Sequence, residues 1–349
     1  MKKIIRVLVV DDSAYVRKVV REMMSYSPLL EVVGAARDGR EALELVETLR
    51  PDVVTSDLMM PELDGIGFVR EQMARRPLPI VMLSSQDESS EEVLAALNAG
   101  AVDFVQKPTA LATEKIFEVR HELIEKVKIA AGVSVETLRT LPDLIAAPEV
   151  VRNSNESYQN NYNAIVLGIS TGGPQALRFL IPQFPADFPV PIAIVLHMPI
   201  GYTSLYAEKL NEISALEVRE AHEGDDFQAG RVLLAPAGKH LMLRRRAGGR
   251  VAAHLSLRPM DTQHRPAVDV LFQSAAETFG NRTLAVVMTG MGSDGKLGAA
   301  WIKARSGTVF TEAEETCVVY GMPGAVVEAG LSDKIIRLDQ LGQAILEVA

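Results

Sequence analysis

The sequence predicts an α/β protein with two domains, each built on a mostly parallel sheet and joined by a linker. Three observations predict it. Short apolar runs alternate with helical patterns in both halves, the signature of βαβ units. A polar stretch rich in asparagine, Arg152 to Asn163, interrupts the alternation. The chain has 349 residues, 48% of them hydrophobic, enough for two cores. The pattern divides the chain into 1–123, a linker over 124–162, and 163–349.

In the first part, the apolar run Val7–Val10 stops at Asp11 and Asp12. A weaker strand covers Val32 and Val33. Asp52–Ser56 ends at Asp57, Ile80–Leu83 at Ser84, and Asp103–Gln106 at Lys107 and Pro108. Helical periodicity fills Arg40–Leu49 and Glu91–Asn98, with Gly100 as the residue that ends the second. Residues 111–130 form one more amphipathic helix, and the leucines of Glu136–Val151 allow a further docked helix. Five short strands joined by helices imply a parallel, doubly wound sheet. In the second part the strands are Ile165–Gly168, Ile192–Leu196, Val232–Ala235, Leu284–Met288 and Thr308–Thr311. Leu241–Val251 reads as a hairpin turning at Gly248 and Gly249, which gives this domain some antiparallel structure.

Composition excludes several functions. A net charge of −9 argues against an electrostatic grip on nucleic acid, and no basic recognition helix points to a transcription factor. The single cysteine, Cys317, rules out a disulfide within the chain and a cysteine zinc cluster, and suits a reducing cytoplasm. No run of about 18 apolar residues suggests a membrane span, and the N-terminal run meets charge too early for a signal peptide.

Two constellations carry chemistry. The first gathers Asp11, Asp12, Asp57, Ser84 and Lys107 at the carboxyl ends of strands, where open α/β sheets form their crevice. Three close carboxylates repel one another unless a cation joins them, and an all-oxygen donor set favours Mg²⁺. A phosphoryl group on Asp57 would meet the metal, the Ser84 hydroxyl and the Lys107 ammonium.

The second constellation begins at Gly168-Ile-Ser-Thr-Gly-Gly-Pro174, an apolar run that stops at Ser170 and continues as a helix. This strand–turn–helix suits a nucleophile, and it also suits phosphate binding. His197 follows the strand Ile192–Leu196, and Asp294 lies in the glycine-rich loop after Leu284–Met288. A serine nucleophile needs a base, and the base needs an acid to orient it. Spacing alone leaves alternatives open. His240 also lies near a strand end, Asp294 could cap the helix beginning near Lys296, and the glycines could serve a nucleotide.

Residues 4–123 resemble the receiver domains of bacterial response regulators, through Asp11-Asp-Ser13, Asp57-Leu-Met-Met-Pro-Glu-Leu-Asp-Gly65 and Lys107-Pro108. The resemblance implies a flavodoxin-like fold and phosphorylation of Asp57 by a histidine kinase with Mg²⁺ bound by Asp12 and Asp57, with Asp11. It also makes Phe104 the family's aromatic switch position. Residues 164–348 resemble the catalytic domain of the chemotaxis protein-glutamate methylesterases, the CheB family. The matching motifs are the Ser170 turn, His197-Met-Pro199, Ala235-Pro-Ala-Gly-Lys-His240, Arg265-Pro-Ala-Val-Asp-Val-Leu-Phe272, Thr289-Gly-Met-Gly-Ser-Asp-Gly295 and Val319-Tyr-Gly-Met-Pro323. Ala267 departs from the serine common in that family. By resemblance, Ser170 is the nucleophile, His197 the base and Asp294 the orienting acid. The Met291 N–H is an oxyanion donor, and the esterase needs no metal. The resemblance further implies a cytoplasmic enzyme that removes methyl esters from glutamates of methyl-accepting chemoreceptors, deamidates specific receptor glutamines, and reaches the membrane only through the receptor. The receiver would cover the Ser170 edge until phosphorylated. The alternative within the same chemistry is an esterase serving a signalling system other than flagellar chemotaxis.

Overall fold

The structure, a computed structural model, describes residues 3–85, 90–107, 113–134, 138 and 161–349. Pro108 and the expectations for 139–160 lie outside them. The chain divides into two compact units, Met1–Pro142 and Asp143–Ala349.

The first unit alternates β1 (Ile5–Val10), α1 (Ala14–Ser25), β2 (Leu30–Ala36), α2 (Gly39–Leu49), β3 (Val53–Asp57), α3 (Gly65–Arg75), β4 (Ile80–Ser84), α4 (Ser90–Asn98), β5 (Asp103–Gln106) and α5 (Thr113–Ala130). The five strands pair in parallel in the order β2-β1-β3-β4-β5. Residues Val7–Val10, β3 and β4 are buried throughout, the polar ends of β3 and β4 included, as strands covered by helices on both faces must be. The strand order reverses between β1 and β3, so their carboxyl ends open a crevice there. Three helices start on short polar side chains that accept from the first turn: Ser13 from Val16, Asp38 from Glu41 and Asp64 from Gly67. The boundary read at residue 123 falls inside α5, which continues to Ala130. Beyond that boundary, Lys126 ties the helix to the sheet by donating to Asp103 Oδ1 at 3.0 Å and to the Phe104 carbonyl at 2.7 Å.

The second unit runs β6 (Ala164–Ile169), α6 (Gly173–Leu180), β7 (Ile192–Leu196), α7 (Thr203–Glu212), β8 (Glu217–Glu220), β9 (Arg231–Leu234), β10 (His240–Arg245), β11 (Val251–Ser256), α8 (Val268–Phe279), β12 (Thr283–Val287), α9 (Lys296–Ala304), β13 (Thr308–Glu312), α10 (Met322–Glu328), β14 (Lys334–Ile336) and α11 (Leu338–Val348). Seven strands form a parallel sheet in the order β14-β13-β12-β6-β7-β9-β8. The chain enters at the centre, builds outwards through β7, β9 and β8, then returns to the other side of β6 with β12. The switch point is therefore the carboxyl end of β6.

β10 and β11 form the antiparallel hairpin, and Gly248 and Gly249 carry the positive φ its turn needs. The helix α8 buries Val268, Leu271, Phe272, Ala275 and Ala276, a helical stripe that packs against Val166, Val287 and the hairpin's Leu243 in one core.

Candidate active site

In the first unit, β1, β3, β4 and the turn after β5 deliver the expected polar groups to the crevice. Asp11, Asp57 and Ser84 are buried, while Asp12 is exposed. Lys107 Nζ lies 2.6 Å from Asp57 Oδ1 and 3.1 Å from Asp11 Oδ2. Burial alone would lower the Lys107 pKa, but the two carboxylates outweigh it and raise it. One carboxylate oxygen from each of Asp11, Asp12 and Asp57 lies within 4.8 Å of the others. Three acids facing one ammonium leave negative charge in the crevice, a donor set that fits a hard divalent cation. The buried Ser84 hydroxyl has no hydrogen-bond partner among the described residues. A phosphoryl oxygen would give it one.

In the second unit, Ser170, His197 and the Thr289–Gly295 loop follow three neighbouring strands, β6, β7 and β12. Register brings them together. Ile169 pairs with Leu196, and the next N–H along, that of His197, donates to the Ile169 carbonyl at 3.1 Å. On the other side the Ser170 N–H donates to the Thr289 carbonyl at 3.0 Å. Gly172 turns the chain into α6 with a φ of 79°, and Gly290 packs so closely on Ser170 that a side chain there would collide with the serine Cβ. The Met291 N–H has no hydrogen-bond partner among the described residues.

His197 Nε2 lies 2.9 Å from Asp294 Oδ2. Burial pushes the Asp294 pKa up, but the His197 bond and the N–H groups of Asp269 and Val268 outweigh it and hold the carboxyl below its usual value. An ionised carboxylate only accepts, so Nε2 carries the hydrogen. The other ring nitrogen, Nδ1, then holds a lone pair; it is buried and has no partner among the described residues. A strand-end serine beside a histidine with one nitrogen anchored and the other free can lose its proton to that nitrogen.

His240 differs. It is fully buried, its Nδ1 accepts from the Ala267 N–H at 3.1 Å, and its Nε2 donates to the Pro259 carbonyl at 3.0 Å. Burial lowers its pKa. Both nitrogens hold backbone, which leaves this ring neutral and occupied.

Asp294 does not cap the helix that follows it in sequence through an N-cap bond, since the N-cap of α9 is Gly295. Its oxygens accept from Val268 N at 2.8 Å and Asp269 N at 2.9 Å, the first turn of α8. The N-cap of α8 is Ala267, which has no side-chain acceptor, so Asp294 satisfies those donors across space. Asp269 returns the arrangement, accepting from Gly295 N at 2.9 Å and Gly298 N at 2.7 Å at the start of α9. The two acids thus lock two helices together and fix Asp294 under His197.

Sequence reasoning did not single out Asp269, although it lies in the quoted Arg265–Phe272 motif. It also passed over His264, whose ring stacks on His197 at 4.2 Å between centroids and 25° between planes, and the buried Glu312, whose Oε2 accepts from Thr289 N at 2.9 Å. No helix among the described residues is long and apolar enough to cross a membrane.

The comparisons with known proteins agree on both halves. A family model described as CheB methylesterase matches residues 165–345, and one described as response regulator receiver domain matches residues 7–118. The protein-glutamate methylesterase/protein-glutamine glutaminase 5 of Myxococcus xanthus is 50% identical over 329 residues, covering 94% of this chain and 93% of its own length. A protein of the same name without the numeral, from Symbiobacterium thermophilum, is 44% identical, covering 98% of this chain and 96% of its own. The methylesterase catalytic domain of Thermotoga maritima CheB superposes with a TM-score of 0.53 at 40% identity, covering 54% of this chain and 99% of that domain. The chain therefore belongs to the CheB family of response-regulator methylesterases, with a receiver domain followed by a methylesterase domain.

Proposed function

We propose that this chain is a serine hydrolase that removes methyl esters from glutamate side chains of methyl-accepting chemoreceptors, and that phosphorylation of Asp57 activates it. The observation that carries the hydrolase reading is His197, whose Nε2 is held by an ionised Asp294 while its Nδ1 lacks a partner among the described residues. In the first step Nδ1 takes the Ser170 proton as Oγ attacks the ester carbonyl carbon. The Met291 N–H and the start of α6 supply donors for the tetrahedral oxyanion. As the intermediate collapses, the C–O bond to the methoxy group breaks and the imidazolium protonates the leaving oxygen, which departs as methanol. Water then gives its proton to His197 and attacks the acyl-enzyme, which restores Ser170 and leaves a glutamate carboxylate. The same steps on a glutamine release ammonia, in keeping with the double name of the relatives.

In the receiver, Asp57 would accept a phosphoryl group from a histidine kinase, with Lys107 and Ser84 on its oxygens. Asp11, Asp12 and Asp57 would hold Mg²⁺, which when bound offsets phosphoryl charge. The reading places the protein in the cytoplasm beside the receptor. The test of the hydrolase is methanol release from a methylated receptor fragment. Ser170→Ala is expected to lower it by about 10³-fold or more with the fold intact; a Ser170→Ala protein that still releases methanol at the wild-type rate refutes the assignment.

A further inference from the structure

Glu312 ends β13, beside the strand that carries the Thr289–Gly295 loop. It is a charged residue type with 0% exposure. Its Oε2 accepts from the Thr289 N–H at 2.9 Å. Thr289 is the hub of the site's backbone. Its carbonyl accepts from Ser170 N at 3.0 Å. Its hydroxyl donates to the Thr171 carbonyl at 2.9 Å and accepts from Val319 N at 3.0 Å. One residue on, Gly290 N donates to the Val319 carbonyl at 3.0 Å, and Gly290 abuts Ser170. The peptide on each side of the nucleophile's turn is thus hung from Thr289, and Thr289 is hung from Glu312.

The second oxygen, Oε1, is buried and forms no well-aligned hydrogen bond among the described residues. The Thr316 hydroxyl and the Cys317 thiol lie beside the carboxyl and favour its charged form, although the hydroxyl donates to the Ala313 carbonyl and accepts from Leu338 N. A carboxyl with so few donors in a dry site contributes little net stability. An apolar residue would fill the same space without that cost. It would, however, leave the Thr289 N–H unpaired.

We propose that Glu312 is a positioning residue of the esterase: through Thr289 its carboxyl fixes the Ser170 peptide and the Met291 loop in the geometry that receives the oxyanion. The inference rests on the hydrolase reading above. A group that acts this way changes the chemical step more than substrate binding, because the oxyanion exists only in the transition state.

The test measures kcat and KM for methanol release in the full chain, with thermal unfolding as a check on the fold. Glu312→Gln keeps an acceptor for the Thr289 N–H and is expected to hold kcat within about threefold of wild type. Glu312→Met removes the acceptor and is expected to lower kcat by about tenfold or more, with KM changed less than about threefold. Should the Met variant fail to fold, Glu312→Asp carries the same test, since its carboxyl is one methylene short of Thr289 and kcat is expected to fall likewise. Met or Asp variants with wild-type kcat, or a Gln variant as impaired as they are, overturn the proposal. Failure of the wild-type chain itself to release methanol would count instead against the hydrolase reading.

Discussion

The two candidate sites occupy the same position in two related architectures, the carboxyl edge of a parallel sheet at its switch point, yet they are held together differently. The receiver pocket is organised by charge. Asp11 and Asp57 converge on Lys107 at 3.1 and 2.6 Å, and Asp12 adds a third acid. The esterase site is organised by hydrogen bonds to backbone. Asp294 holds His197 and two N–H groups of α8, Asp269 holds two at the start of α9, and Glu312 holds Thr289. A pocket proposed to gain and lose a phosphoryl group needs mobile charge that a ligand can rearrange. A nucleophile and its oxyanion donors need fixed dipoles. The difference teaches that the first site should respond to ions and ligands, and the second to the loss of single hydrogen bonds.

The comparison breaks most visibly at Asp294. Asp294→Asn keeps the shape but can present an N–H to His197 Nε2, which favours the tautomer with its hydrogen on Nδ1. Methanol release is expected to fall by about 10³- to 10⁴-fold in kcat, and a loss below about tenfold would mean that Asp294 serves only as a cap for α8. At His240 the expected effect is on stability instead. His240→Gln disturbs bonds to Ala267 and Pro259 and should cost about 1–3 kcal/mol of stability, while kcat stays within about tenfold, measured beside a His197→Gln protein that is inactive. If His240→Gln proves the inactive one, the base has been misassigned.

Buried charge in the esterase unit shows itself in the pH dependence of stability, without an effect on turnover. Burial pushes the Glu312 carboxyl up to about 7 from an ordinary 4.5, against the lowering pull of Thr289 N. The folded state therefore binds this proton more tightly than the unfolded chain. Its contribution to stability is fully present below about pH 4.5 and is lost as the pH rises through about 7. The shift corresponds to about 3 kcal/mol. Denaturant unfolding of Glu312→Gln is expected to lack that part of the slope between those limits, and equal slopes in the two proteins would show that Glu312 titrates normally.

The sequence made the strand ends readable because a buried parallel strand is a continuous apolar run, and each run here stops at a chemically distinct residue: Asp11, Asp57, Ser84, Ser170 or His197. It concealed the two edge strands, Glu217–Glu220 and Lys334–Ile336. One is charged at both ends and the other is three residues long, as exposed edges often are, so neither shows an apolar run. It also concealed Asp269 and Glu312, whose roles depend on partners 25, 26, 29 and 23 positions away. An acid in a helix's first turn or at a strand end reads as surface until the fold reveals what it accepts from. For Asp294 the local rule offered the following helix, and tertiary packing gave it α8 instead.

The most direct measurement of the central claim, that a charge-organised phosphoacceptor governs a hydrogen-bonded esterase, is methanol release from a methylated receptor fragment with and without Mg²⁺ and a small phosphodonor. The wild-type chain is expected to speed up severalfold on addition of both, while Asp57→Asn keeps its basal rate and does not respond. Equal stimulation of the two proteins, or none in either, would contradict the account.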